Sequence, residues 1–129
     1  MKANDEKFFK NLLGEENAYF DEAHRIAYCY DATRKRFKPD GVLYPHDEND
    51  VSQILKYCNE NKIIIVPRGA GSGFTGGALA HEGGLIVSFE KHMNKILEID
   101  EQNMVAVVEP ACINIKLQEA VAKKGLFYP

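Results

Sequence analysis

Apolar positions fall at helical spacing in some stretches of the chain and in short β-branched runs in others. Phe8, Phe9, Leu12 and Leu13 share one face of a helix predicted over 4–13, with Asn4 or Asp5 as N-cap and Gly14 just past its end. A second helix is expected over about 15–26. Pro39-Asp40-Gly41 turns the chain into Val42-Leu43-Tyr44, a short strand stopped by Pro45. Behind the capping-box pattern Asp50-Val51-Ser52-Gln53, the residues Val51, Ile54, Leu55 and Cys58 fall at i, i+3, i+4 and i+7. They predict an amphipathic helix that lasts until about Asn61. Ile63-Ile64-Ile65-Val66 then reads as a buried strand. Strand, helix and strand make a βαβ unit, so the two strands should be parallel with a right-handed crossover.

Three more β-branched runs follow, 85–89, 95–100 and 104–109. The last two are joined by Glu101-Gln102-Asn103 and predict an antiparallel hairpin. Asn114 is the expected cap of a final helix with Ile115, Leu117, Ala120 and Val121 as its stripe and Gly125 at its end. The fold class predicted is α/β (α+β), a small parallel βαβ unit followed by an antiparallel hairpin.

The element with chemistry in it is the connection after Val66, Pro67-Arg68-Gly69-Ala70-Gly71-Ser72-Gly73-Phe74-Thr75-Gly76-Gly77, which holds five of the chain's ten glycines. Glycine loses the most backbone freedom on folding, so such a cluster implies positive φ or a close approach. Successive unobstructed N–H groups can converge on one concavity and bind an anion. Arg68 is expected to place a cation at its mouth. A plain surface connection is the alternative. A phosphate loop of the NTPase kind needs Gly-Lys-Ser/Thr, where this chain has Gly76-Gly77-Ala78. Gly71-Ser72-Gly73-Phe74-Thr75-Gly76 matches the dinucleotide fingerprint literally, with Glu90 about 20 residues on. That mechanism needs a helix opening at the glycines. Only 77–82 separates them from Gly83-Gly84, too little for a crossover helix. The loop is therefore read as a diphosphate cradle at the carboxyl end of a strand.

Composition narrows the class without changing this picture. The chain has 129 residues, 45% hydrophobic and 27% charged, as one soluble domain would. A net charge of −3 supplies no global attraction to nucleic acid or an anionic membrane. No apolar run approaches a membrane span, and no signal core follows the N-terminus. Cys29, Cys58 and Cys112 are odd in number and far apart, which argues for a reducing compartment and against zinc or disulfides. No metal site is expected. Cytoplasmic placement follows, with peripheral attachment at the inner face of a membrane as a variant. His24, His81 and His92 read as structural or exposed residues, and the basic knot Arg34-Lys35-Arg36-Phe37-Lys38 as a solvated loop.

The order of motifs also resembles a known family. Tyr44-Pro45, an acidic-capped helix, an Ile-rich strand, Pro-Arg-Gly-Ala-Gly-Ser-Gly with Thr-Gly-Gly, Met93-Asn94-Lys95-Ile96, a hairpin and Glu109-Pro110 follow one another. This is similar to the N-terminal part of the FAD-binding domain of the vanillyl-alcohol oxidase/p-cresol methylhydroxylase type. Within it, the 2-hydroxy-acid dehydrogenases are most alike, such as the glycolate oxidase GlcD subunit and D-lactate dehydrogenase. The resemblance covers 30–129 and makes 1–29 a separate N-terminal helical segment.

It implies that loop amides hold the FAD pyrophosphate. The residues carried over are Arg68, Gly69, Ala70, Gly71, Ser72 and Gly73, with Gly76 and Gly77 close behind. Pro110 is carried over too, although Ala111 stands where many members have glycine. Some members link FAD through a histidine after the second loop glycine; Ser72 stands there, so non-covalent FAD is implied. The family continues past its Tyr-Pro with a second half and a substrate-binding cap, so this chain is expected to be part of something longer, weak in FAD affinity and inactive alone. No catalytic residue is assigned. The implied function is the N-terminal part of an FAD-dependent dehydrogenase or oxidase of a small 2-hydroxy acid of the lactate/glycolate class. The acid and an electron acceptor are reached through the remainder. The alternative is a catalytically inactive module of the same fold that binds a phosphate or nucleotide, or pairs with another subunit.

Overall fold

A computed structural model describes residues 2–129; Met1, the first residue of the expected N-terminal segment, lies outside them. Helix α1 spans Ala3–Leu13 and buries Phe9 and Leu13. Its N-cap is Lys2 rather than Asn4 or Asp5. Asp5 sits one turn in and accepts the Lys2 N–H at 2.7 Å, the returning half of a capping box. That hydrogen bond, more than any other influence, holds the Asp5 carboxyl below the usual carboxylate range. Tyr57 donates to the other Asp5 oxygen at 2.9 Å, and Phe8 stacks on the Tyr57 ring at 3.8 Å.

The second predicted helix is mostly absent. After Gly14 (φ +87) comes a single 3-10 turn, Glu15–Asn17, then a two-residue strand β1, Ala18–Tyr19, and only a short α2, Glu22–Ala27. Pairing overrides local propensity here. β1 runs antiparallel to β2 (Gly41–Leu43), with Ala18 opposite Leu43. Asn17, 2% exposed, fixes the turn by donating to Leu13 O at 3.0 Å and to His46 Nε2 at 3.0 Å.

Helix α3, Glu48–Asn61, is capped by Asp47, which accepts the N–H groups of Asn49 and Asp50 at 2.9 and 3.0 Å. Asp50, the expected cap, instead accepts from the backbone and Nδ1 of His46. Lys62 in the left-handed conformation ends the helix. β3 then spans Ile65–Arg68, two residues later than the apolar run suggested, and it includes Pro67. Proline is tolerated because β3 lies at the sheet edge.

β4, Leu85–Ser88, inserts between its predecessors, so the sheet order is β1-β2-β4-β3. β2 and β3 are parallel as expected, but each pairs with β4 and not with the other. Alternation sends Leu43, Leu85 and Val87 to the face covered by Phe9, Leu13, Ile54 and Cys58, and Val42 and Ile86 to the face with Tyr44 and Ala80. Burial pushes the Cys58 thiol up to about 11.

The hairpin forms as predicted, with β5 over Ile96–Asp100 and β6 over Val105–Val108. Asp100 accepts the N–H groups of Gln102 and Asn103, and Met104 turns the chain at φ +57. Helix α4, Asn114–Ala122, begins after Ile113; Asn114 lies inside it and caps nothing. Leu117 and Val121 are its buried residues, whereas Ile115 faces solvent. The α/β architecture, a mixed four-stranded sheet followed by an antiparallel hairpin, agrees with the class read from the sequence. Among the described residues, no helix is long and apolar enough to cross a membrane.

Candidate functional site

Because β2, β4 and β3 run in one direction, their carboxyl ends share one edge of the sheet. The glycine loop leaves β3 at that edge and returns to β4 through turns and bends, with no helix between them. The helix that a dinucleotide fingerprint requires is therefore missing, as the spacing implied. From Gly69 to Ala78, none of the backbone N–H groups donates to a protein acceptor among the described residues. Most of these residues are exposed or half-buried, so the donors are open to solvent, and a series of them can serve an anion.

Two of the loop glycines take a conformation that side chains disfavour. Gly71 has φ +68 and Gly76 φ +78. At Gly71 a Cβ would also collide with the Arg68 guanidinium, which would have to move. Gly73 is the opposite case, with nothing within 4 Å of where a Cβ would sit. The Pro110 carbonyl oxygen lies 3.6 Å from where a Cβ on Gly69 would stand, so the loop and the segment after the hairpin are close neighbours. Ala111 shows no positive φ, which explains why alanine is accepted at a position where glycine was the expectation. Ala70, Ser72 and Gly77 are on the open side of the loop with Phe74, which is 81% exposed.

Arg68 differs from its expected placement at the mouth. It is 8% exposed and folds beneath the loop. Nη1 donates to Tyr30 O at 2.8 Å and to Ala78 O at 3.4 Å, and the guanidinium lies 5.2 Å from the Tyr28 ring centroid. The cation thus ties the two ends of the loop to the segment 28–31. Its field also reaches Asp31, whose carboxyl is held low chiefly by the Thr33 hydroxyl and amide, with Arg68 and His81 adding to the effect. Asp31 Oδ2 is buried without a hydrogen-bond partner.

Beneath the loop, Tyr44 donates to the Tyr28 hydroxyl at 2.8 Å and Tyr28 donates to Glu90 Oε1. Burial, reinforced by Glu90 and Tyr44, raises the Tyr28 hydroxyl well above the ordinary phenol range. Lys91 Nζ stands 5.4 Å over the Tyr44 ring. Sequence reasoning missed Tyr28, Asp31 and Glu90 as supports of the loop. The available signal was weak: polar residues adjoining strand ends, without a spacing that joins them. His46 and His92 stack with centroids 4.4 Å apart, and Asn17 bridges them: its Nδ2 donates to His46 Nε2, and its Oδ1 accepts from His92 Nε2 and Lys91 Nζ. Burial, then the charges of His46 and Lys91, push His92 below its ordinary value.

A family model described as "FAD binding domain" matches residues 39–129. The glycolate oxidase subunit GlcD of Bacillus subtilis is 47% identical over 119 residues, 92% of this chain and 25% of that protein. D-lactate dehydrogenase of Anaerostipes hadrus is 37% identical over 92 residues, 71% of this chain and 19% of that protein. Among solved structures, p-cresol methylhydroxylase with substrate bound superposes with a TM-score of 0.80 at 25% identity, over 95% of this chain and 25% of that one. The chain spans a quarter or less of the length of these relatives. It belongs to the FAD-binding domain family of the p-cresol methylhydroxylase type and corresponds to the N-terminal part of that domain.

Proposed function

We propose that this chain is the pyrophosphate-holding part of an FAD-dependent oxidoreductase that oxidises a small 2-hydroxy acid of the lactate/glycolate class. The observation that carries the reading is the run of free amides from Gly69 to Ala78 at the carboxyl end of β3. In the proposal Gly69, Ala70, Gly71, Ser72, Gly73, Gly76 and Gly77 offer their N–H groups to the diphosphate. Arg68 shapes the loop from below and adds a positive field, and Pro110 closes one side against Gly69. Ser72 offers no imidazole for a covalent link at its position, so the group is held non-covalently there. Bound FAD supplies a two-electron acceptor for oxidation at a CH–OH carbon. The substrate class is supported by the relatives, named for glycolate, D-lactate and D-2-hydroxyglutarate. A partial wall buries little of a ligand, so the chain alone is expected to bind FAD weakly.

The test is a flavin titration, read by quenching of flavin fluorescence. It is run on this chain and on a chimera that joins it to the remaining three-quarters of the Bacillus subtilis relative. The reading expects weak quenching with the chain alone, and tight binding with turnover of glycolate or D-lactate by the chimera. Absence of flavin binding by a folded chimera would sink it.

A further inference from the structure

His81 is exposed, as the sequence suggested, and its ring makes two contacts within the chain. It packs on Phe37 with centroids 4.4 Å apart, and its Nε2 lies 3.1 Å from Gly76 O. A carbonyl oxygen only accepts, so Nε2 carries the proton and donates. The same Gly76 oxygen accepts the Leu79 N–H at 3.2 Å, and the His81 N–H closes back on Leu79 O at 3.0 Å. At Gly76 the positive φ of +78 disfavours any side chain, and a Cβ would stand a tight 3.3 Å from His81 Nε2.

We propose that His81 is a positioning residue for the anion cradle: by holding the Gly76 carbonyl inward, it aims the Gly77 N–H outward toward the ligand. The step follows from peptide planarity. No peptide bond in the described chain is cis. In a trans peptide, the C=O of one residue and the N–H of the next point in opposite directions. A carbonyl drawn to His81 and Leu79 therefore directs the Gly77 N–H away from both. Released, that peptide could flip and present an oxygen to an anion where a donor is needed. Arg68 Nη1 on Ala78 O, at 3.4 Å, is a second and longer clamp on the same stretch. This inference rests on the reading of the loop as a diphosphate cradle, and it adds the residue that sets the orientation of one of its donors.

The test uses the full chain labelled with 15N, with ADP as the diphosphate probe. His81→Phe keeps a ring against Phe37 and removes the donor; His81→Gln restores a donor of similar reach. The proposal expects His81→Phe to weaken ADP binding by about 3- to 10-fold, the worth of one hydrogen bond, and to shift the Gly77 amide resonance in the unliganded protein. His81→Gln should bring both back toward wild type. Wild-type ADP affinity in His81→Phe, with an unmoved Gly77 resonance, would overturn the inference and leave the cradle standing. If the wild-type chain binds no ADP, the functional reading is damaged, and the Gly77 resonance in the free variants still decides the role of His81. Should His81→Phe fail to fold, the ring tautomer in the wild-type protein decides it: a proton on Nε2 supports the proposal, and a neutral ring protonated on Nδ1 refutes it.

Discussion

The sheet and the hairpin are built of similar β-branched runs and end in opposite conditions. In the four-stranded sheet, Val42, Leu43, Leu85 and Ile86 are fully covered, on one face by α1 and α3. In the hairpin, Leu97 is 60% exposed and Val105, Val107 and Val108 are also open. Burial, rather than residue type, decides how much a valine or leucine contributes. The glycine loop lies where these halves meet, since Gly69 comes up against Pro110 just past β6. One wall of the candidate site is thus backed by a packed core and the other by a hairpin with open apolar faces.

The widest separation between the halves should come from truncating their apolar residues. Leu85→Ala is expected to cost about 2–5 kcal/mol in urea unfolding, and Val107→Ala within about 0.5 kcal/mol, the range for exposed positions. Equal costs would erase the contrast. Gly71→Ala introduces both positive φ and a collision with Arg68, so about 1–3 kcal/mol is expected, together with loss of ADP or FAD binding. A binding-competent Gly71→Ala would show that Arg68 need not lie under the loop.

Helix caps offer a finer comparison. Asp47→Ala removes two hydrogen bonds at the start of α3 and should cost about 0.5–2 kcal/mol. Asn114→Ala, at the start of α4, should fall within about 0.5 kcal/mol because that side chain caps nothing. The smallest effect expected is with pH. His92 is held below its ordinary value in the folded chain by its burial and by His46 and Lys91, against the opposing charges of Asp50 and Glu16. The unfolded chain then binds more protons, so stability should fall as pH drops below about 6.5, the ordinary histidine value. His92→Asn should flatten urea midpoints measured between pH 7 and pH 5. An unchanged slope would assign the loss to other groups.

Elements with long or regular patterns were legible in the sequence. The α3 helix, the hairpin and the glycine cluster each carry a local physical signature and form where they were read, although Leu55 of the α3 stripe is left 47% exposed and only Ile54 and Cys58 are buried. The misplaced features depend on distant partners. β1 is two residues long and exists because β2 offers an edge. The caps of α1 and α3 fell to Lys2 and Asp47, where several acidic and amide residues compete and tertiary contacts choose among them. Arg68 is buried because Tyr28, Tyr30 and Ala78 surround it, and no spacing in the sequence joins those positions.

The closeness of Gly69 to the Pro110 carbonyl has a kinetic side. Any motion of β5 and β6 is expected to reach the loop across that short gap without loosening the sheet. Substitutions in β5 or β6 should therefore register in how long a ligand stays bound before they register in the melting temperature of the fold.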